Sequence, residues 1–166
     1  IVVCRKILYF NLDISNDRIN PLHLTLEVID KKSLKVMLVD DDNISSFIYR
    51  KIIEMAGLDT GHLKTFLKGE EALAYLNENL LDQEDFPDFI LLDINMPVMD
   101  GWGFLDVYSA EIAPKLNKRV VICMLSSSVN VKDKERAFEY TEVNDYANKP
   151  LTSAELDKLV QKHFTD

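Results

Sequence analysis

The chain has 166 residues, enough for one ordinary domain with a sizeable core and a remainder of about thirty residues. Its 28 acidic and 19 basic residues give a net charge of -9, which repels a phosphate backbone or an anionic membrane surface, so direct nucleic-acid or membrane binding is not expected. The cysteines are only Cys4 and Cys123, and no apolar stretch approaches the roughly 20 residues of a membrane span, a pattern that suits a cytoplasmic protein with reduced thiols.

Residues 1–33 stand apart from the rest of the chain. Leu8, Phe10, Leu12 and Ile14 alternate with polar or amphipathic residues, as do Leu24, Leu26 and Val28, with Asn16-Asp17 to Asn20-Pro21 between them. That pattern predicts a β-hairpin. Because the chain begins with Ile, a fragment, leader or appended segment is the first reading, an added hairpin or dimerisation arm the second and a functional site the last.

From Leu34 to the end, apolar runs alternate with segments of helical period. Residues 34–39, 62–67, 88–92, 120–125 and 143–147 read as strands. The first helix is supported by Ile44, Phe47, Ile48, Ile52 and Met55 on one face, with Gly57 as its C-cap. The second carries Ala72, Leu73 and Leu76. The charged stretch 77–88 after it reads as a solvated connection. The third helix starts near Gly101, carries Phe104, Leu105 and Tyr108, and is expected to end just before Pro114. The fourth spans about 131–140. The fifth opens on a capping box, Thr152 with Glu155, and buries Leu156, Leu159, Val160 and Phe164. Repeated βα alternation predicts an α/β fold, doubly wound, with a parallel five-stranded sheet and helices on both faces.

Two strand ends carry carboxylates: Asp40-Asp41-Asp42 after the first strand and Asp93 after the third. The carboxyl ends of parallel strands share one edge, so Asp40, Asp41 and Asp93 converge in one crevice. At an effective dielectric near 20, two carboxylates about 4 Å apart repel by roughly 4 kcal/mol, so the cluster calls for a cation. An all-oxygen donor set points to Mg2+. Asn95, Ser126, Tyr146 and Lys149 also fall at strand ends, and one lysine, one hydroxyl and three acids suit a phosphoryl group. His23, His62 and His163 are scattered and form no metal or nucleophile constellation. Asp42 is read as an N-cap, Asp100-Gly101 as a turn with Gly at positive φ, and Trp102 as packing or surface.

Val39-Asp40-Asp41, the run from Asp93 to Gly101 (DINMPVMDG), Leu125-Ser126-Ser127 and Asn148-Lys149-Pro150 together resemble the receiver domain of two-component response regulators, of the single-domain, chemotaxis-regulator-like kind. The resemblance spans 34–166 and implies a flavodoxin-like strand order, 2-1-3-4-5. It further implies that Asp93 is a phosphoacceptor taking a phosphoryl group from a sensor histidine kinase or histidine phosphotransfer protein. Asp41, Asp93 and the backbone carbonyl of Asn95 would hold Mg2+, with Asp40 direct or through water. Lys149 would contact the phosphate, and Ser126 and Tyr146 would form the switch. Asn95 and Ser128 lie where side chains tune phosphate lifetime in that family. Output is expected on the fourth helix, fifth strand and fifth helix, toward an unknown protein target, and the same face offers a route to a homodimer. Such a protein is no enzyme beyond slow self-catalysed phosphotransfer and autodephosphorylation.

Two other functions compete. A haloacid-dehalogenase-like phosphotransferase or phosphatase also uses a strand-end Asp with Mg2+, but needs a second acid two positions on, where this chain has Asn95. An inactive pseudo-receiver binding module has no chemical need for Asp40, Asp41, Asp93, Ser126 and Lys149 together.

Overall fold

The computed structural model describes residues 3–5, 27–29, 31–81, 83–128 and 130–164, the first two segments as backbone. Strand β1 (Val3–Arg5) pairs antiparallel with β2 (Glu27–Ile29), Val3 opposite Ile29. The alternation expected for Leu8 to Leu26 and its turn lie outside the described residues.

The rest of the chain alternates as the periodicity requires: β3 (Val36–Val39), α1 (Asn43–Met55), β4 (Leu63–Phe66), α2 (Gly69–Glu78), β5 (Phe89–Asp93), α3 (Gly101–Val107), β6 (Val121–Ser126), α4 (Val131–Ala137), β7 (Val143–Asn148) and α5 (Ser153–Phe164). The five long strands form a parallel sheet in the order β4-β3-β5-β6-β7, which is 2-1-3-4-5 in the sheet's own sequence. The strand order reverses between β3 and β5, and the crevice opens there at the carboxyl edge.

Every residue of β3, β5 and β6 is buried, because the central strands of a parallel sheet are covered on both faces. Successive side chains point to opposite faces and so divide between two cores. Met37, Val39, Ile90, Leu92, Ile122 and Met124 pack under α2 and α3. Val36, Leu38, Phe89, Leu91, Cys123 and Leu125 pack under α1 and α5. Burial raises the Cys123 thiol far above its ordinary range, so it is an inert core group.

Three local expectations need correction. In α1 the buried residues are Tyr49 and Ile53, whereas Ile44, Phe47 and Met55 are 70%, 65% and 75% exposed and Ile48 is 47% exposed. The apolar stripe therefore lies nearly half a turn from the core-facing side, at roughly 100° per residue. The third helical segment does not stop before Pro114: α3 passes at Tyr108–Ile112 into a π-helical turn and then a 3-10 turn, Ala113–Lys115. Pro114 sits at the start of that last turn, where its missing N–H interrupts no helical bond, and buried Tyr108 and Ile112 hold the segment down. Finally, α4 closes at Ala137, and residues 138–140 form a turn.

Other local readings agree with the structure. Asp42 caps α1 by accepting from the amides of Ile44 (3.0 Å) and Ser45 (3.1 Å). Thr152 and Glu155 form the reciprocal capping box of α5. Gly57 takes φ 82 just beyond α1. Among its described residues the 77–88 connection is mostly solvated, but Phe86 and Pro87 are buried and Asp88 accepts from the Lys35 amide and pairs with Lys118.

Candidate functional site at the carboxyl edge of the sheet

Register places the site. Val39 is level with Leu92, so the next residues, Asp40 and Asp93, stand side by side at the ends of β3 and β5. Backbone hydrogen bonds lace the strand ends together: Asp40 N–H to Phe66 O (3.0 Å), Ile94 N–H to Leu125 O (3.0 Å) and Lys149 N–H to Ser126 O (2.8 Å). The last of these extends the pairing of Ser126 with Asn148 and sets the start of the loop that carries Lys149. The Lys149-Pro150 peptide is cis.

The Lys149 ammonium lies 2.6 Å from Asp40 Oδ2 and 2.7 Å from Asp93 Oδ2. Both carboxylates are nearly solvent-free, with side-chain exposures of 1% and 5%. Burial raises the Asp93 carboxyl above its ordinary range despite the opposing pull of Lys149 and the Asn95 amide. Burial would lower the Lys149 ammonium, but its hydrogen bonds to Asp40 and Asp93 outweigh that and hold it above its ordinary value. One ammonium thus stands between two buried carboxyl groups. The other Asp40 oxygen accepts from the Asp42 amide (3.0 Å), and Asp93 Oδ1 accepts from the Asn95 amide (3.2 Å).

Residues 94–101 wrap the mouth of the pocket, with Asn95 exposed. Gly101 is not the positive-φ residue of this loop; Val98 is, at φ 68 and 95% exposed. Gly101 is required for a different reason. A Cβ there would lie 2.6 Å from Asp93 O and 2.9 Å from Ile94 Cα, so only glycine lets α3 start against the backbone of Asp93. Asp100 is structural as expected, capping α3 through the Gly103 amide at 2.8 Å.

Ser126 ends β6 fully buried, and its Oγ accepts from the Ser128 amide at 3.0 Å. Tyr146 is half-buried on β7; its hydroxyl is buried and has no hydrogen-bond partner among the described residues. The fold thus gathers Asp40, Asp93 and Lys149 into direct contact, with Asp41 exposed at their side, while Ser126 and Tyr146 stand on the two neighbouring strands. Sequence reading missed that Lys149 pairs with Asp40 as well as Asp93. It also missed the exposed apolar face of α1 directly behind Asp42, whose helical period was visible but whose direction was not.

Asp40, Asp41 and Asp93 each offer one oxygen within 4.8 Å of the others. Three hard carboxylate donors in a crevice with one exposed member suit Mg2+, which binds through few carboxylates and keeps several waters.

Comparison with known proteins gives a family and a matching fold. The family model described as the response regulator receiver domain matches residues 36–161. The chain is 31% identical over 133 residues to the hybrid signal transduction histidine kinase L of Dictyostelium discoideum, covering 78% of this chain and 7% of that protein. It is 33% identical over 124 residues to the transcriptional regulatory protein PrrA of Mycobacterium bovis, covering 75% and 47%. The chain therefore spans less than half the length of either curated relative. A solved two-component response regulator from Cytophaga hutchinsonii matches with a TM-score of 0.68 and 34% identity, over 76% of this chain and 93% of that one.

Proposed function

The chain belongs to the response regulator receiver family of two-component signalling, and on that premise we propose that Asp93 accepts a phosphoryl group and thereby switches a protein-binding face. One observation carries the reading: a nearly solvent-free carboxylate at the strand-order reversal shares a single lysine with a second acid, beside a third.

In the proposed reaction an Asp93 oxygen attacks the phosphorus of a phosphohistidine. The P–N bond breaks as the O–P bond forms, and the departing imidazole keeps the electron pair and takes a proton from water. Asp40, Asp41, Asp93 and the Asn95 carbonyl are the groups that would hold Mg2+, which when bound offsets charge on the phosphoryl oxygens. Lys149, already at Asp93, keeps a positive charge beside the new phosphoryl group. Ser126 turns its hydroxyl to a phosphoryl oxygen and Tyr146 moves after it. Asn95 offers no carboxylic proton two positions after the nucleophile, which supports a switch over a hydrolase of the haloacid-dehalogenase kind.

The donor is a sensor histidine kinase or a histidine phosphotransfer protein. Ile44, Phe47 and Ile48 form an exposed apolar face that begins next to the acidic pocket, and this face suits an apolar donor helix. Output passes through α4, β7 and α5, where a groove of about 330 Å³ lies between β7 and α5. That face also serves for a downstream protein or a second copy. Residues 1–33 are an extension outside this chemistry, and the protein works in the cytoplasm. Among the described residues no helix is long and apolar enough to cross a membrane.

Incubation with acetyl phosphate tests the reading by intact mass. One phosphoryl group should add with Mg2+, little should add in EDTA, and none should add to Asp93→Asn. Equal labelling of that variant would overturn it.

A further inference from the structure

We propose that His163 is a proton-operated latch at the C-terminal end of α5: the neutral ring clasps Arg119 to the helix end, and a second ring proton releases it. The latch works without phosphorylation and gives the face of β7 and α5 a second input, pH.

Of the two histidines among the described residues, His62 is exposed, whereas His163 is buried in the last turn of α5. Its ring meets a different element at each nitrogen. Nε2 stands 2.9 Å from Asp145 Oδ2 on β7. Nδ1 stands 3.4 Å from Arg119 Nη2, in the segment that leads into β6, and the same guanidinium donates through Nη1 to the His163 carbonyl at 3.1 Å. A carboxylate only accepts and a guanidinium only donates, so the ring must donate from Nε2 and accept at Nδ1. Only the neutral Nε2–H form serves both neighbours. Burial would raise the Asp145 carboxyl, but its hydrogen bonds with Lys162, His163 and the Tyr146 amide outweigh that and hold it below its ordinary range, so it stays ionised.

A second ring proton changes this arrangement at one atom. Nδ1–H then points at an Arg119 N–H, donor against donor and cation against cation, while Nε2–H keeps its bond to Asp145 and strengthens it with charge. Asp145 does not offset the added charge alone, because the same Oδ2 already takes the Lys162 ammonium at 2.7 Å. Strand β6 brings no counter-charge, since its one titratable side chain, Cys123, is a thiol kept neutral by burial. Arg119 is exposed and has water to turn into, so it is the partner that leaves. With it goes the bond to the His163 carbonyl, one of the last carbonyls of α5, which have no partner within the helix. Lys162 also lines the groove between β7 and α5, so the latch is built into the wall of that groove.

The test uses the whole chain, without a phosphodonor, at about pH 8 and about pH 5, the range in which histidine changes charge. Nitrogen–proton NMR spectra of the histidine rings should show His163 as the Nε2–H form at the higher pH and doubly protonated at the lower. Amide exchange protection, corrected for the intrinsic rate at each pH, should fall about fivefold at Lys162 to Phe164 on acidification and stay within about twofold at Leu156 to Val160. In Arg119→Ala the last turn should be loose at both pH values. In His163→Gln, whose amide both donates and accepts but takes up no proton, the last turn should not respond to acid. The latch is overturned by an Nδ1–H ring at the higher pH, a ring still neutral at the lower, or equal protection of the last turn at both. An Arg119→Ala chain as protected as the wild type at the higher pH, or a His163→Gln chain that loosens as the wild type does, would overturn it as well.

Discussion

Lys149 bridges Asp40 and Asp93, at 2.6 and 2.7 Å, and so joins the ends of β3 and β5 through one ammonium. Its removal leaves two buried carboxylates side by side without a counter-charge. Lys149→Met should therefore cost about 3 kcal/mol in EDTA, in the range for breaking a buried pair. A divalent cation replaces the missing charge, so Mg2+ should raise the melting temperature of the variant more than that of the wild type. Denaturation with and without Mg2+ measures both, and an equal Mg2+ response would argue against a shared cation site.

Gly101→Ala probes the approach of α3 to the phosphoacceptor. The added Cβ meets backbone at 2.6 and 2.9 Å, which no rotamer change relieves, so α3 and Asp93 must move apart. The variant should lose about 2 kcal/mol of stability and part of its Mg2+ response. A variant as stable as the wild type in urea melts would show that the contact relaxes freely.

Much of this is legible in the sequence, for reasons that also explain the misses. The strands of a buried parallel sheet are continuous apolar runs, so β3, β5 and β6 and the acids at their ends announce themselves. The stripe Ile44, Phe47, Ile48 and Met55 has the same period as a core stripe, and period fixes helix but not direction. Only the packing of Tyr49 and Ile53 under the sheet shows which face is covered. Gly101 reads as a turn glycine because that role is local, whereas its actual constraint is the Asp93 backbone, a contact visible only in the fold. The hydrogen bonds that step from Ser126 Oγ through Ser128 and Asn130 to the Lys132 amide have a faint signal, three small polar residues at alternate positions, but no chemistry to single them out.

Acid should weaken the capping box of α5 in a defined window. The Thr152 hydroxyl and amide lower the Glu155 carboxyl below its ordinary 4.5. The unfolded chain therefore binds more protons near that pH, and the cap's contribution is present above 4.5 and lost as pH falls through the lowered folded value. Glu155→Ala should melt below the wild type at pH 7, with the gap narrowing under acid. A gap that is constant from pH 7 to acid would show that the carboxylate charge plays no part.

A chain starting at Lys31 retains the ion pair of Lys31 with Asp157 and the buried Leu34. It should fold, melt cooperatively and accept phosphate at a rate similar to the whole chain. An insoluble or non-cooperative product would place residues 1–30 within the folding unit.

The most direct test locates the acyl phosphate. After Mg2+-dependent reaction with acetyl phosphate, borohydride reduces an aspartyl phosphate to homoserine, and peptide sequencing by mass spectrometry identifies the position. The account predicts homoserine at residue 93 alone. Homoserine at Asp40 or Asp41, with Asp93 unchanged, would contradict it.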